Sequence, residues 1–308
     1  MPKVKGRLIL IGGEQRRTPP DAEVMARFAF YAGGVDARIT ILAGESLPRA
    51  RGAVSYRRIL QAWGARDVSV LVLKDRQQLE QAALRARVAN STGILLVGDD
   101  PHRLHALLSG SALESDLLQA YRAGASLAGV SGGAALLAAR VMSPGNWVPP
   151  APTAGAERNE DAHGLADVHP RAGLVKLDQG LGFLQRLVVD HHYCEKQRQG
   201  RLLAAVAAQP EFIGVGVDAG TALVIAPQRG IEVVGKGAVA IFDGGRANQT
   251  QVTTAADGQL LALCRVQFNL MPAGFAFAWK RGGGASLGQG ARISDGMAEL
   301  MAALATTR

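Results

Sequence analysis

The sequence has few cysteines, few aromatic residues and no long apolar run. Its 308 residues include only two cysteines, Cys194 and Cys264, and neither belongs to a CxxC pair, which excludes a disulfide framework. Apolar runs such as LILI from Leu8 and LVIA from Leu223 are far shorter than the roughly 20 residues that a membrane-spanning helix needs. The run near the start is also too short for a secretory signal, and no small-residue cleavage site follows it. We therefore expect a globular, cytoplasmic protein with reduced thiols and no membrane partner.

The scarcity of aromatic side chains bears on the basic charge of the chain. The formal net charge is +8 and the pI is near 9.9. Such a potential attracts phosphate, but only 5% of the residues are Phe, Trp or Tyr, so platforms for stacking bases are scarce. The arginines are scattered over segments with helical spacing. We interpret them as solvated helix faces and predict no nucleic-acid partner.

The first half of the chain alternates short apolar runs with amphipathic segments. Five runs predict buried strands: RLILI from Arg7, ARITIL from Ala37, VSVLVL from Val68, GILLV from Gly93 and SLAGV from Ser126. Helical patterns lie between them, the first of which opens at Pro19-Pro20-Asp21. This rhythm is typical of a mostly parallel sheet with helices on both faces, so the predicted fold class is α/β.

The second half has a different pattern. Residues 142–176 are rich in Pro, Gly, Ala and charge, and they predict an inserted surface loop. LVVD from Leu187 predicts another strand, and RLLAAVAAQ from Arg201 predicts a helix. From Phe212 onward the runs FIGVGV, ALVI, IEVV, AVAIF and VQFNLM predict antiparallel strands, and a short terminal helix follows from about Asp295. We predict a single domain over 1–308, in which residues 230–308 form a β-rich extension.

The segment LAGVSGGAALLAAR, from Leu127, holds the strongest candidate for a catalytic group. An apolar strand passes through Gly-Val-Ser-Gly-Gly into an alanine- and leucine-rich stretch that predicts a helix. Ser131 thus lies at a strand-to-helix turn, where open parallel sheets bind ligands. The pattern suits a nucleophile, because Gly129 and Gly133 relieve crowding and the amide of Gly132 can bind an oxyanion. From the pattern alone, a nucleophile and a structural turn are both open.

A serine nucleophile needs a base, and two histidines follow a predicted strand. His191 and His192 come directly after the apolar run LVV and Asp190, so they also lie at the carboxyl end of a strand. His102 and His105 share one helical face, which raises the alternative of a metal site. Because no third ligand is near them in the sequence, we interpret them as surface residues and predict no metal.

Several motifs together resemble the cyanophycinase family of serine peptidases. They are LILIGGEQ, GVSGGA, VVDHHYCEKQRQGRLLAAVA, GVGVDAGTALVI, GAVAIFDG and VQFNLMPAG, and the resemblance extends from about Leu8 to Gly274. It implies a class I glutamine-amidotransferase-like fold, related to that of aspartyl dipeptidases. It also implies a homodimer that needs no metal or cofactor and hydrolyses cyanophycin, a polyaspartate with arginine on each β-carboxylate, to β-Asp-Arg dipeptides.

The resemblance also implies roles for the residues around the serine. Ser131 matches the nucleophile and His192 the general base, and the amide of Gly132 is expected to bind the oxyanion. Asp190 matches a pocket residue beside the base. His191 stands where the family has glutamine; we count it with the substrate-binding residues and note that it adds a titratable group near the base.

Three basic residues follow the histidines at the positions of a basic triplet in the family. They are Lys196, Arg198 and Arg201, and we expect them to bind acidic groups of the substrate. Lys196 departs from the arginine of the family and lacks the planar fork that grips a carboxylate. The alternative is that the three side chains form a solvated face with Glu195.

The segment VGDDPHRL departs from the Gly-Gly-Asp/Asn-Gln of the family. Asp99 replaces the second glycine, whose amide helps to form the oxyanion hole, so we count Asp99 with the catalytic residues. Pro101 replaces a glutamine that contacts the substrate and cannot reproduce its hydrogen bonds. With Glu14, Asp99 and Asp100 are candidates to receive the guanidinium groups of a cyanophycin substrate.

The acid that would orient the histidine is missing from its usual place after the nucleophile helix. Candidates in the predicted loop are Glu157, Glu160, Asp161 and Asp167. We expect a serine peptidase that acts on cyanophycin or related β-aspartyl peptides. The alternatives are an impaired relative that binds acidic or aspartyl peptides, an aspartyl or isoaspartyl dipeptidase on the same scaffold, and a nucleophile at Cys194 in place of the serine.

Overall fold

The computed structural model describes residues 6–14, 22–44, 51–147, 169–227, 229–245, 248–249, 254–279 and 285–287, together with 303 and 307. Its α-helices are α1 (Ala22–Tyr31), α2 (Arg51–Ala62), α3 (Ala82–Ala89), α4 (Pro101–Leu108), α5 (Ala112–Ala123), α6 (Gly132–Leu136) and α7 (Gln199–Ala208). Its strands are β1 (Leu8–Ile11), β2 (Arg38–Ala43), β3 (Asp67–Val72), β4 (Gly93–Gly98), β5 (Ser126–Ser131), β6 (Ala138–Pro144), β7 (Val175–Gln179), β8 (Leu184–His191), β9 (Ile213–Val217), β10 (Thr221–Ala226), β11 (Gly230–Gly235), β12 (Ala238–Asp243), β13 (Asn248–Gln249), β14 (Leu263–Cys264), β15 (Gln267–Pro272), β16 (Ala276–Trp279) and β17 (Ala285–Leu287).

A nine-stranded sheet forms the centre of the fold, in the order β17-β16-β11-β10-β1-β5-β4-β2-β3. The five strands from β1 to β3 in this order are parallel, and β10, β11, β16 and β17 extend the sheet antiparallel. Strand β5 therefore lies between β1 and β4. The carboxyl ends of these three neighbours meet at one edge, where open parallel sheets place their ligand sites.

The two faces of this sheet are covered differently. Along β1, Leu8 and Leu10 face one hydrophobic cluster and Ile9 and Ile11 face another, as the two-residue period of a strand requires. Side chains of α1 and α2, such as Phe28, pack on the second cluster. The first cluster contains side chains of α3, α4, α5 and α6 and of a second sheet. The predicted α/β class, with a mostly parallel sheet between helices and antiparallel strands in the later part, is confirmed.

The second sheet has six strands in the order β15-β12-β9-β8-β6-β7. Strands β6, β8 and β9 run parallel, and β7, β12 and β15 pair antiparallel at the two sides. The antiparallel assignment of FIGVGV is therefore only half right, because β9 is antiparallel to β12 but parallel to β8. Strand β8 ends at His191, and the sheet thus brings the histidine segment to the centre of the fold.

The helix expected after Ser131 is much shorter than its alanine-rich sequence predicts. Helix α6 ends at Leu136, and the chain continues at Ala138 as strand β6. Pairing with β8 and burial of Ala138 and Val141 outweigh the helix propensity of alanine, which is a weak local preference. Strand β6 extends to Pro144, and β7 begins at Val175, so regular structure enters the predicted 142–176 loop from both ends.

Part of that loop, the Pro19-Pro20-Asp21 helix start and the terminal helix from Asp295 lie outside the described residues, apart from isolated positions. Across the described ranges, the helices are too short or too polar to cross a bilayer. The division into one domain with a loop and a β-rich extension stays a prediction.

Candidate active site

Ser131 lies at the junction of β5 and α6 with an unusual backbone. Its φ is 52° and its ψ is −118°, in a region that costs on the order of 1–3 kcal/mol for a residue other than glycine. A Cβ at Gly129 would lie 2.2 Å from the carbonyl oxygen of Gly133, and one at Gly133 would lie 2.4 Å from that of Leu96. Both glycines are therefore required for close packing around the turn, which is the crowding that the sequence pattern predicts.

His192 reaches the same place from the end of β8. Its Nε2 atom lies 3.3 Å from the Oγ atom of Ser131. The φ of His192 is 49°, and its backbone amide donates to the carbonyl of Gly12 at 2.8 Å. The structure thus brings together the serine and the histidine that the sequence analysis paired, although 61 positions separate them. A hydroxyl and an imidazole at this distance can exchange a proton after a small adjustment.

The glycine pair at the end of β1 makes room for this contact, and the sequence analysis gave it no role. Gly13 has a φ of 110°, and a Cβ there would lie 2.2 Å from Nε2 of His192 and 2.7 Å from Oγ of Ser131. Because β1 is the parallel neighbour of β5, its carboxyl end lies beside the nucleophile turn. The Gly-Gly pair directly after an apolar strand was the available signal.

The chain after β4 packs against the other side of the nucleophile turn. A Cβ at Gly132 would lie 2.7 Å from the carbonyl oxygens of both Gly98 and Asp99. The backbone of Asp99 is thus adjacent to Gly132, as a shared oxyanion site requires. The carboxylates of Glu14 and Asp99 also influence the hydroxyl of Tyr56. Burial is the main cause that raises the pKa of Tyr56 well above its ordinary value, followed by the charge and hydrogen bond of Glu14 and by the charge of Asp99.

Asp100 has a structural contact that accounts for its position. It is the N-cap of α4, and its Oδ1 atom accepts hydrogen bonds from the backbone amides of His102 at 2.9 Å and Arg103 at 3.1 Å. Pro101 takes the first helical position, where its missing amide hydrogen costs nothing. Pro101, which departs from the family pattern, therefore forms a regular helix start together with Asp100.

Asp190 is fully buried between two arginines. Its carboxylate accepts from Nη1 of Arg198 at 3.2 Å, from Nε of Arg201 at 2.6 Å and from Nη2 of Arg201 in a shorter contact. The backbone amide of His191 also donates to it at 2.9 Å. The side chains of Arg198 and Arg201 are only 7% and 12% exposed. A buried carboxylate is tolerated because this pair of cations and the amide replace its hydration.

The alternative of a solvated basic face therefore does not hold for the two arginines. Glu195 does not serve as the counterion of Arg198 and Arg201. Its carboxylate accepts hydrogen bonds from the backbone amide of Ala219 at 3.1 Å and 3.2 Å. Lys196 is more accessible than Arg198, and its backbone amide donates to the carbonyl of His192 at 3.1 Å. The triplet thus surrounds the strand end that carries the histidines, with Lys196 towards the solvent.

His191 lies between the arginine cluster and His192. Nη1 of Arg198 is 3.4 Å from its Nδ1 atom and 2.6 Å from its carbonyl oxygen. The rings of His191 and His192 are 5.4 Å apart between centroids, with an interplanar angle of 68°. Burial, followed by the charges of Arg198, His192, Arg201 and Lys196, lowers the pKa of His191 well below 6.5. The ring is therefore neutral at physiological pH.

Cys194 has the wrong electrostatics for a nucleophile. Burial and a hydrogen bond to Asp218 raise the pKa of its thiol to about 12, so little thiolate is present near neutral pH. Asp218 also accepts from the backbone amides of Cys194 at 3.2 Å and Ala238 at 3.0 Å. Asp218 thus links the turn after the histidines to the start of β12.

The two histidines of α4 differ in their surroundings. Nε2 of His102 lies 3.3 Å from the carbonyl oxygen of Met142, and its Nδ1 lies 3.7 Å from the carboxylate of Asp178. Burial lowers the pKa of His105. In the part of the chain that the structure describes, no three side chains of His, Cys, Asp or Glu converge as metal ligands. The four acids suggested to orient His192 (Glu157, Glu160, Asp161, Asp167) lie outside the described residues.

Comparisons with known proteins point to one family. The model of peptidase family S51 matches residues 43–233. The cyanophycinase of Geminocystis herdmanii is 30% identical over 269 residues, which cover 87% of this chain and 92% of that protein. The cyanophycinase of Synechococcus elongatus is 32% identical over 241 residues, 78% of this chain and 68% of that protein. The crystal structure of a peptidase from an acI-B1 Actinobacterium matches 90% of this chain and 98% of its own with a TM-score of 0.61 and 19% identity, and it shows a shared fold.

Proposed function

The chain belongs to peptidase family S51, and we propose that it hydrolyses cyanophycin, or related β-aspartyl peptides, to β-Asp-Arg-like dipeptides. The family and the cyanophycinase relatives establish a serine peptidase. The substrate and the roles of individual residues are the proposal. The observation that carries it is the 3.3 Å contact between Oγ of Ser131 and Nε2 of His192 at the carboxyl edge of the sheet.

The proposed reaction begins when Oγ of Ser131 attacks the carbonyl carbon of the scissile amide. His192 takes the hydroxyl proton as the new C–O bond forms, and it then gives that proton to the leaving amine as the C–N bond breaks. Water then attacks the ester carbon while His192 takes its proton, and His192 gives that proton to Oγ of Ser131 as the ester C–O bond breaks and the carboxylic acid leaves. The amides of Gly132 and Asp99 are the proposed oxyanion donors, and donors of this kind are each worth about 10²–10³ in kcat.

Charged groups on two sides of Ser131 suit a zwitterionic substrate. Lys196, Arg198 and Arg201 are the proposed partners of substrate carboxylates, with Lys196 making the larger direct contribution because Asp190 already pairs with both guanidinium groups. Glu14 and Asp99 are the proposed partners of the substrate guanidinium. Glu14 follows Gly13, which lies beside Ser131 and His192, and the backbone of Asp99 adjoins Gly132. A guanidinium placed between carboxylates forms short, charge-assisted hydrogen bonds.

The test is hydrolysis by the purified protein and by Ser131→Ala. We expect release of β-Asp-Arg from cyanophycin by the wild type and a loss of at least about 10³-fold in Ser131→Ala. Ser109→Ala, at the carboxyl end of α4, is the matched control and keeps the wild-type rate. Equal rates for Ser131→Ala and the wild type would remove this serine from the mechanism.

Rates on three substrates separate the proposal from its rivals. Faster turnover of β-Asp-X or α-Asp-X dipeptides than of the polymer would indicate a dipeptidase on the same scaffold. Binding of cyanophycin without turnover, and no labelling of Ser131 by a serine-reactive phosphonate, would indicate an impaired relative. The replacement of the family glycine by Asp99 motivates that comparison, because a carboxylate directed at the oxyanion would oppose the reaction.

A further inference from the structure

We propose that His191 is a positioning residue for His192: the imidazole ring of His191 is held by Arg198 on one side and packs edge-to-face against the ring of His192 on the other. This inference rests on the proposed function, since it gives His191 a role only if His192 is the base. It differs from the sequence prediction, in which His191 contacts the substrate. The contacts of Arg198 and the geometry of the two rings carry it.

The hold on His191 comes from one nitrogen of Arg198. Nη1 lies 2.6 Å from the carbonyl oxygen of His191, 3.4 Å from its Nδ1 and 3.2 Å from Oδ1 of Asp190. A guanidinium only donates hydrogen bonds, so the Nδ1 atom that faces it is an acceptor and the proton of the neutral ring is on Nε2. Asp190 is fully buried and also accepts a hydrogen bond from Arg201. Its fixed carboxylate in turn holds the guanidinium of Arg198.

The contact with His192 has the geometry of a favourable ring pair. A centroid distance of 5.4 Å with an interplanar angle of 68° is edge-to-face, the arrangement that pairs of aromatic rings prefer. His192 needs this support because its φ of 49° is sparsely populated and its contact with Ser131 is long, at 3.3 Å. A small rotation of the ring would break that contact.

The charges around His191 keep its ring neutral while His192 acts as the base. Arg198 and Arg201 face it from the start of α7, Lys196 from the turn before the helix, and His192 from the next position; Asp190 precedes it on β8. Its partner on β9 is the uncharged Val217. Burial and these cations lower the pKa of His191 well below 6.5. A second imidazolium next to His192 would oppose the proton transfer from Ser131, and the cluster prevents it.

Two variants separate the ring from its acceptor atom. His191→Phe keeps an aromatic ring beside His192 and removes the nitrogen that faces Arg198. His191→Asn keeps an amide group near the place of Nδ1 and removes the ring. The readouts are kcat and KM for cyanophycin, and the rate at which a fluorophosphonate labels Ser131, each measured from pH 5 to pH 9. Thermal unfolding shows that each variant is folded.

We expect His191→Phe, which keeps the ring but loses the contact with Arg198, to lose about threefold in the labelling rate and kcat. His191→Asn should lose about tenfold in both with little change in KM, because a small displacement of a catalytic group is costly. The acidic limb of the labelling profile has a slope of one in the wild type and keeps its midpoint in His191→Phe. Equal rates in His191→Asn and the wild type would overturn the inference, as would a raised KM with unchanged kcat or a two-proton acidic limb. Failure of the proposed function looks different: the wild type itself then does not hydrolyse cyanophycin, or is not labelled at Ser131.

Discussion

Replacing Gly13 by alanine tests the geometry of the site at its narrowest point. The new Cβ would lie 2.2 Å from Nε2 and 2.5 Å from Cε1 of His192, and 2.7 Å from Oγ of Ser131. Ordinary van der Waals contact begins at 3.4 Å, so the ring has to retreat by about 1.2 Å, and a displacement of about 1 Å at a catalytic group costs roughly a hundredfold in rate. The serine and the histidine would then be too far apart for direct proton transfer.

The chain contains a matched control for the backbone effect of this substitution. Gly33 has a φ of 117°, close to the 110° of Gly13, but the nearest heavy atom to a Cβ there is 3.6 Å away. Both alanine variants therefore carry a similar backbone strain from positive φ, on the order of 1–2 kcal/mol. Only Gly13→Ala adds a clash with Ser131 and His192.

The assay compares cyanophycin hydrolysis and thermal unfolding in the two variants. We expect both to lose a few degrees in Tm, Gly33→Ala to keep its turnover, and Gly13→Ala to lose about a hundredfold or more in kcat. Turnover in Gly13→Ala within a few fold of Gly33→Ala would refute the reasoning, because it would show that the position of the His192 ring beside Ser131 does not limit the reaction.

Three further predictions follow from the charges around the histidines. Asp190→Asn leaves two arginines buried without their carboxylate and should cost about 3–5 kcal/mol of unfolding free energy in urea titrations. The control is Asp67→Asn, which removes a half-exposed salt bridge and should cost at most about 1 kcal/mol. Similar losses in the two variants would contradict the large cost expected for Asp190→Asn. Because the pKa of His191 lies well below 6.5 in the fold, the unfolded chain binds a proton there first as the pH falls, and stability is lost below about pH 6.5 by up to about 1.4 kcal/mol per pH unit. His191→Phe should remove this loss. If the unfolding free energies of the wild type and His191→Phe fell in parallel from pH 7 to pH 5, the result would be evidence against a depressed pKa of His191. The thiol of Cys194 should react with iodoacetamide at pH 8 at least about tenfold more slowly in the folded protein than in urea, and Cys194→Ala should hydrolyse cyanophycin at the wild-type rate. Rapid alkylation that abolishes turnover would revive this cysteine as a nucleophile.

The strands of the central sheet and the turn at Ser131 could be predicted from the sequence because local patterns determine them. Short aliphatic runs bounded by glycine or charge form β1, β2, β4 and β5, and the glycines around Ser131 are required by contacts within that turn and with β4. The sequence pattern placed Ser131 and both histidines at the carboxyl ends of strands, and the choice of His192 as the base came from the resemblance to the cyanophycinase family.

The second sheet could not be predicted in the same way, because its pairings join distant segments. Ala138 is in a strand because β8 lies beside it, and the alanine-rich sequence itself favours a helix. The role of Gly13 depends on β1 being the neighbour of β5, which no local pattern reveals.

The basic triplet shows a different limit. Spacing and charge indicated that Arg198 and Arg201 meet an anion, and the structure places a carboxylate of the chain itself, Asp190, between them. Residue type cannot distinguish an internal counterion from a substrate. The burial of Asp190 between the two guanidinium groups depends on how two sheets pack together, which residue types do not reveal.

The most direct test of the account is to identify the residue that a fluorophosphonate labels, and the rate of that labelling, in the wild type and in His192→Asn. The account predicts stoichiometric labelling of Ser131 in the wild type and a rate lower by at least about a hundredfold in His192→Asn, since a general base contributes about 10²–10⁴. Labelling of another residue, or equal rates at Ser131 in the two proteins, would contradict it.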